Sequence, residues 1–445
     1  MKVSHRLERH RRWLAGTAIL LPLSILIWFT WQHAILVPFN DEFNLVPLIH
    51  KMNAGTLTFA DVMAQHNEHR PFFPNLLLLG MAKISHWTIA WEIVADLILA
   101  GLIFTLILRL VWRTFPERPV TRWGLAVGFS WLVFSPNQYE NWIWGWELEW
   151  FLCMLGVLVT VTILSSEQPL SKTRLGIAAV AATVADYSLA AGVLAWVAGL
   201  IILFCRGEKP AWKWAWTVIG VLIATPYYYH YHGTSPAQGS VTYALEHPVA
   251  FVGYVLMYLG NPLSTSHRAV TTQIAAALSG TALLGAFLAS CCYVWLRYRE
   301  AIPRLAPWIA LGVFAVVSAA LTAVGRLKLG TVQALSSRYI TATLVFLLAT
   351  IVVTLVVLQR ALSDRPRLLR NAIAVPVSLL AILVLIGYPA GFVLGRRWPD
   401  VADYQHCVHT AQSASTSCLR VAYPESSGYA FQQIRYLRQI HWAGF

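Results

Sequence analysis

Two neighbouring acids, Asp41 and Glu42, follow directly on the first apolar stretch of the chain. A carboxylate at that place can take a proton from a hydroxyl as it attacks an electrophilic carbon. Downstream, His66, Glu68, His69 and Arg70 are crowded into one short run, H-N-E-H-R, with Asp61 just before it. Ionisable groups gathered beside long apolar helices mark a site in a membrane protein. Arg326, Lys328 and Arg338 lie far along the chain in a second polar segment, GRLKLGTVQALSSRY. They supply cations that can bind a phosphate through charge-assisted hydrogen bonds. Together these groups suit displacement at an anomeric carbon: one base, and positive charge where a phosphate leaves.

The run from His66 to His69 also permits a metal reading, with His66, His69 and either Glu68 or Asp61 as ligands. The spacing is not H-E-x-x-H. The expectation is therefore no cofactor, with a divalent metal left open on His66 and His69. A hydrogen-bonded network of His66, Glu68 and Arg70 is the alternative, with Arg70 close enough to lower the pKa of Asp41. No glycine-rich phosphate loop or serine nucleophile elbow occurs.

The surroundings of these groups are apolar. Of 445 residues, 57% are hydrophobic and 12% charged. Runs of roughly 20 apolar residues recur, the length that crosses a hydrocarbon core as helix. Alternation of the kind found in membrane β-barrels is absent. The reading is an all-α polytopic membrane bundle of about eleven transmembrane helices. They are placed near 14–36, 88–111, 123–137, 148–165, 174–187, 189–204, 214–230, 269–296, 305–324, 340–359 and 372–394. Lys and Arg number 21 in the segments this places inside, against seven outside before the tail: Lys51, Arg70, Lys83, Arg268, Arg326, Lys328 and Arg338. That bias puts the N-terminus in the cytoplasm and the tail from about Gly395 outside. The net charge of +13 then reflects helix flanks and anionic lipid, not nucleic acid.

Residues 1–395 form the transmembrane domain, whose first outer loop, 37–87, carries the acidic site. Residues 396–445 are a short extracytoplasmic tail. In the loop, Leu45–Asn53 reads as a helix stopped by Gly55, and Thr58 with Asp61 as a capping box opening a second. The spacing puts His66, His69 and Arg70 on one face of that second helix. Residues 72–86 are apolar but short and read as interfacial or re-entrant, as does Phe251–Leu263 along the outer face. Ser135–Trp150 mixes Glu140, Asn141, Glu147 and Glu149 with four tryptophans including Trp144, groups that can stack on and bind a sugar. Asp186 falls at the outer end of the fifth span. Cys407 and Cys418 share the outer tail and are expected to form a disulfide. Cys153, Cys205, Cys291 and Cys292 are packing residues.

The layout resembles the GT-C superfamily of polytopic glycosyltransferases, which includes protein O-mannosyltransferases, lipid A aminoarabinose transferases and oligosaccharyltransferases. The resemblance rests on Asn40-Asp41-Glu42 after the first span, two short helices in the first outer loop, and Arg338-Tyr339 entering a late span. Within it the chain is similar to bacterial members with H-N-E-H-R (His66–Arg70) and Y-E-N-x-x-W-G (Tyr139–Gly145). It covers about residues 10–395. It implies transfer of a sugar from a polyprenyl-phosphate carrier, held by Arg338, Tyr339, Arg326 and Lys328. It makes Asp41 the base, in the cell envelope of a bacterium at its inner membrane. The short tail, in place of a large soluble domain, favours a glycan or lipid acceptor over a peptide. A lipid-linked-sugar flippase or other transporter, and a non-catalytic envelope assembly protein, are the competing readings. Transporters concentrate polar residues and helix breaks mid-membrane; here they gather at one face.

Overall fold

The computed structural model describes residues 2–232, 239–264, 269–398, 401–424 and 426–445. Arg268, one of the expected outer cations, lies outside them. Among the described residues twenty α-helices follow one another. They are α1 Lys2–His33, α2 Val46–Asn53, α3 Phe59–Val62, α4 Phe72–Ser85, α5 Ala90–Thr114, α6 Pro119–Val133, α7 Tyr139–Ile143, α8 Leu148–Leu164, α9 Lys172–Asp186 and α10 Leu194–Cys205. Then come α11 Pro210–Ala224, α12 Val241–Glu246, α13 Pro248–Gly260, α14 Val270–Arg297, α15 Ile302–Arg326, α16 Ile340–Ala361, α17 Pro366–Arg396, α18 Val401–Thr410, α19 Ser417–Ala422 and α20 Ser427–Ile440.

Each of the eleven apolar stretches has its own helix. Seven helices among the described residues are long and apolar enough to cross a membrane, near α1, α5, α8, α14, α15, α16 and α17. The other four are α6, α9, α10 and α11, of 15, 15, 12 and 15 residues. At 1.5 Å per residue, a 15-residue helix reaches about 22 Å. Proline and glycine set these lengths: α6 and α11 open on prolines, and Gly192 sits in the turn that separates α9 from α10. With no water to drive helices together in lipid, close contact of small residues does so. A Cβ on Gly156 of α8 would lie 2.6 Å from the Ala181 carbonyl of α9. Gly260 of α13 and Gly280 of α14 make a still closer antiparallel crossing.

The apolar interior falls into two clusters. The larger one fills the bundle between α1 and α17. The smaller joins the segment 35–49 and α4 to α18, α19 and α20. The C-terminal residues are thus not a free tail but one wall of a cap built on the first loop. The Cys407–Cys418 disulfide, with Cα atoms 6.1 Å apart, ties α18 to α19. Trp442 stacks on His86, and the Ala443 N–H donates to the His86 carbonyl at 3.0 Å.

Candidate functional site

The strap from Ile35 to Phe39 leads from α1 to the two acids, and its backbone is held from three sides. The Ile35 N–H donates to the Ile143 carbonyl at 2.8 Å, and the Leu36 N–H to Gln405 Oε1 at 3.1 Å. Tyr404 donates its hydroxyl to the Pro38 carbonyl at 2.6 Å. The Phe39 ring meets Trp144, Trp398 and Tyr404 edge-on, each at 5.4 Å. A 3-10 turn, Asn40–Leu45, follows and aims neighbouring side chains in different directions. Asp41 faces a cavity, while Glu42 turns inward and is buried.

The cavity holds about 530 Å³. The first loop contributes Asp41, Glu68 and His69, and the approach to α8 contributes Trp146, Glu147, Glu149 and Trp150. Arg326, Lys328, Arg338 and Tyr339 face them. An apolar and aromatic side is made by Leu189, Val193, Tyr227, Tyr228, Val241 and Leu321. Charged groups and apolar or aromatic side chains therefore line one space, which suits a ligand with an anionic part and a hydrocarbon or sugar face.

The charged lining is held by both local and long-range pairs. Thr58 and Asp61 cap α3 reciprocally, and Lys51 pairs with Asp61. But α3 ends at Val62, and His66–His69 is not helical. It is a tight antiparallel bridge, with the His66 N–H on the His69 carbonyl at 2.8 Å and the reverse bond at 3.0 Å. Asn67 takes the left-handed conformation this turn needs, at φ 49°. The expected shared helical face is therefore replaced by a hairpin whose members point to separate partners. His66 Nε2 stands 3.5 Å from Asp41 Oδ1. His69 Nε2 lies 3.0 Å from Glu149 Oε2, an ion-pair distance outside hydrogen-bond geometry. Glu68 grips Arg326 with contacts of 2.6 and 2.7 Å. Arg70 turns away and donates to the carbonyls of Tyr227, Met63 and Tyr229. It ties the hairpin to the segment after α11 and is not the cation that acts on Asp41.

Electrostatics divides the neighbouring acids. Burial pushes the Asp41 carboxyl up, but the His66 contact and the charges of His66, Arg338 and His69 outweigh it and leave it below the aspartate range. Burial, then the negative charge of Glu92, drives Glu42 well above the glutamate range, against the 2.8 Å bond it accepts from the Phe39 N–H. Two carboxyls pushed apart in this way take different roles. Burial alone would lower His69, yet the Glu149 charge and contact raise it. Burial would likewise raise Glu68, and the Arg326 charge holds it below the usual range.

Arg338 is positioned from behind. Glu140 Oε2 accepts from the Ser336 hydroxyl at 2.7 Å, the Ser337 hydroxyl at 2.8 Å and the Arg338 N–H at 2.9 Å. Asn141 Nδ2 donates to the Arg338 carbonyl at 3.0 Å. The Arg338 guanidinium lies 5.5 Å from the Tyr339 ring, and its Nε is buried with no hydrogen-bond partner among the described residues. Lys328 reaches over the Tyr243 ring at 5.3 Å.

The structure thus brings Asp41, Glu68, His69, Arg326, Lys328, Arg338 and Tyr339 to one cavity, with His66 against Asp41. Glu42, Arg70, Glu140, Asn141, Trp144 and Asp186 are not among its lining residues. Glu140 and Asn141 hold the Arg338 backbone instead of meeting an acceptor, and Trp144 is buried in the cap core. Asp186 is buried too and accepts from Trp196 Nε1 at 3.1 Å. Glu147 and Glu149, named from sequence only within their segment, are cavity residues. Glu92 and Asp96 were not foreseen. They are fully buried on α5 near Glu42, both Asp96 oxygens lack a hydrogen-bond partner among the described residues, and a Cβ on Gly145 would lie 2.5 Å from Glu92 Cβ. Their signal was legible: two acids four apart near the start of an otherwise apolar span. Among the described residues no three His, Cys, Asp or Glu side chains gather as a metal site.

These features define an all-α, multi-pass membrane bundle with a charged pocket lined in part by the first loop, on which the C-terminal helices pack. No family model and no curated protein matches the chain. A solved structure, the crystal structure of ArnT from Cupriavidus metallidurans bound to undecaprenyl phosphate, is similar at 13% identity and a TM-score of 0.48. The match covers 95% of this chain and 88% of that one. A likeness of that degree says nothing of the chemistry here.

Proposed function

We propose that the chain is an integral-membrane glycosyltransferase that moves a sugar from a polyprenyl-phosphate carrier to a glycan or lipid acceptor at the outer face of a bacterial inner membrane. The observation that carries this is the cavity itself, in which Asp41, its carboxyl held below the usual range, lines one space with Arg326, Lys328, Arg338 and a set of apolar and aromatic side chains. An acceptor hydroxyl oxygen forms the new bond to the anomeric carbon and gives its proton to Asp41. The bond from that carbon to the phosphate oxygen breaks, and the electron pair leaves with the phosphate. Arg338, with an unpartnered buried Nε, receives the growing charge. In a site shielded from water such preorganised donors supply a large share of the rate. Attack opposite the leaving group inverts the anomeric centre. Tyr227, Tyr228 and Trp150 offer ring faces to the sugar.

The test is incubation of the purified protein with labelled polyprenyl-phosphate sugars and candidate acceptors, beside Asp41→Asn. Labelled product that depends on Asp41 supports the reading. Carrier binding without transfer to any acceptor would move it to a flippase or assembly role.

A further inference from the structure

At the end of the bundle opposite the pocket, two further cavities of about 400 and 430 Å³ meet at Arg113 and Glu167. They share helices with the pocket, so the separation can be worked out. On α15, Arg326 lines the pocket and Arg304 lines the cavity of about 400 Å³. Twenty-two residues of helix are about 33 Å, the thickness of a hydrocarbon core.

Five arginines line the two cavities: Arg109, Arg113, Arg174, Arg206 and Arg304. Part of this charge has an internal use. Arg113 donates to the Thr162 carbonyl at 2.9 Å, Arg174 to the Ile163 carbonyl at 3.2 Å, and Arg206 to the Leu164 carbonyl at 2.9 Å. These are the last carbonyls of α8, where cations are favoured. Arg206 also pairs with Glu208 at 3.3 Å. Capping does not account for the rest. Arg109 and Arg304 have no hydrogen bond or ion pair among the described residues, and both are exposed. Glu167 and Glu300, exposed at the rim, make no ion pair with the arginines among the described residues. The Arg113 charge is crowded by Arg109, Arg174 and Arg206, with Glu167 partly offsetting them. An anion there would relieve mutual repulsion and fill a space already shaped.

We infer that these joined cavities bind the phosphate headgroup of an anionic phospholipid, with an acyl chain running along the exposed apolar face of α9. A lipid is favoured over free phosphate because the cavity opens onto that face. Ile177 lines the second cavity and is 51% exposed, and Val180, one turn further along α9, is 65% exposed. A diester phosphate meets Arg113, Arg109 and Arg304, and the chain follows Ile177 and Val180 toward the bilayer centre. Basic pockets between helices at a membrane surface bind lipid headgroups in this way. The site stands apart from the proposed transfer chemistry and does not depend on it.

The experiment uses the full chain purified in neutral detergent. Binding of short-chain phosphatidylglycerol and of phosphatidylcholine with the same chains is followed by native mass spectrometry. Phosphatidylglycerol is expected to bind at least about tenfold tighter. Each surface arginine is worth about fivefold, so Arg109→Gln with Arg304→Gln should cost roughly 25-fold. Glu167→Gln with Glu300→Gln should instead tighten binding, a gain that misfolding cannot imitate. Equal binding of the two lipids, or no response to either pair of substitutions, overturns the proposal. Displacement of the lipid by inorganic phosphate at equal concentration assigns the site to a soluble anion and overturns the lipid assignment.

Discussion

Asp41 and Glu42 are adjacent, yet their environments push their carboxyls in opposite directions, Asp41 below and Glu42 above the usual range, so isosteric neutralisation should separate them. Asp41→Asn keeps the shape and removes the proton acceptor. A positioned base contributes about 10²–10⁴-fold, or roughly 3–5.5 kcal/mol of barrier, and kcat should fall by that factor with donor binding nearly unchanged. Glu42→Gln should leave transfer within a few-fold, because a buried carboxyl held protonated is already close to an amide. Its effect should appear in stability. A group whose folded pKa is raised contributes stability that is fully present below the unfolded value and lost as pH rises through the folded one. For Glu42 the window opens at the ordinary glutamate value and extends upward, at about 1.4 kcal/mol per pH unit. Wild type should therefore lose stability across that window, and Glu42→Gln should flatten the loss. Asp41 has the opposite sign: its contribution is present above the ordinary aspartate value and lost as pH falls through the depressed one. The assays are steady-state transfer and unfolding midpoints in detergent from pH 4 to 8. Abolished transfer in Glu42→Gln with normal transfer in Asp41→Asn swaps the roles. A change of no more than a few-fold in both refutes a carboxylate base at this turn.

Arg338→Ala should weaken donor binding much more than Arg338→Lys, since lysine keeps the charge and loses the planar fork; unchanged affinity in the alanine variant, read by labelled-carrier titration, would shift the phosphate to Arg326 or Lys328. Glu68→Gln frees Arg326 of its carboxylate and should lower the unfolding midpoint while tightening carrier binding, because the phosphate then replaces the lost anion; weaker carrier binding would show that the pair only shapes the hairpin. Cys407→Ser with Cys418→Ser should cost about 3 kcal/mol on the loop-entropy model. It should also depress transfer, since α18 supplies Tyr404 and Gln405 to the strap before Asp41; normal transfer at reduced stability would uncouple cap from site.

Local patterns carried much of the fold. The eleven apolar stretches, the stop at Gly55 and the Thr58–Asp61 box each depend on residues within a turn or two, and each forms. The site was legible as composition and not as pairing. Glu68 meets Arg326 across 258 positions and Glu140 meets Arg338 across 198; helical periodicity has no reach at that distance. The misread face of His66 and His69 came from extending α3 past Val62. Asn67, a residue tolerant of left-handed backbone, was the local clue to a turn. The cap was hidden for another reason: α18, α19 and α20 are short and mixed in character, and only packing on the first loop shows which of their faces is buried.

The charge inventory of the pocket bears on how the proposed reaction runs. Carboxyls of Asp41, Glu68, Glu147 and Glu149 face Arg326, Lys328, Arg338 and His69. A sugar diester of polyprenyl phosphate enters with one negative charge and leaves as a monoester with two. Within a low-dielectric cavity an extra charge is costly unless something nearby loses one. Asp41 loses one in the same event by accepting the acceptor's proton. The base and the leaving group thus exchange charge within a single cavity, and its total stays constant through the step. Arg338 connects the two ends. In the free protein its charge helps lower the pKa of Asp41; as the phosphate gains charge beside it, that hold weakens. Asp41 then becomes a better base as the bond to phosphate breaks, which is when the reaction needs one.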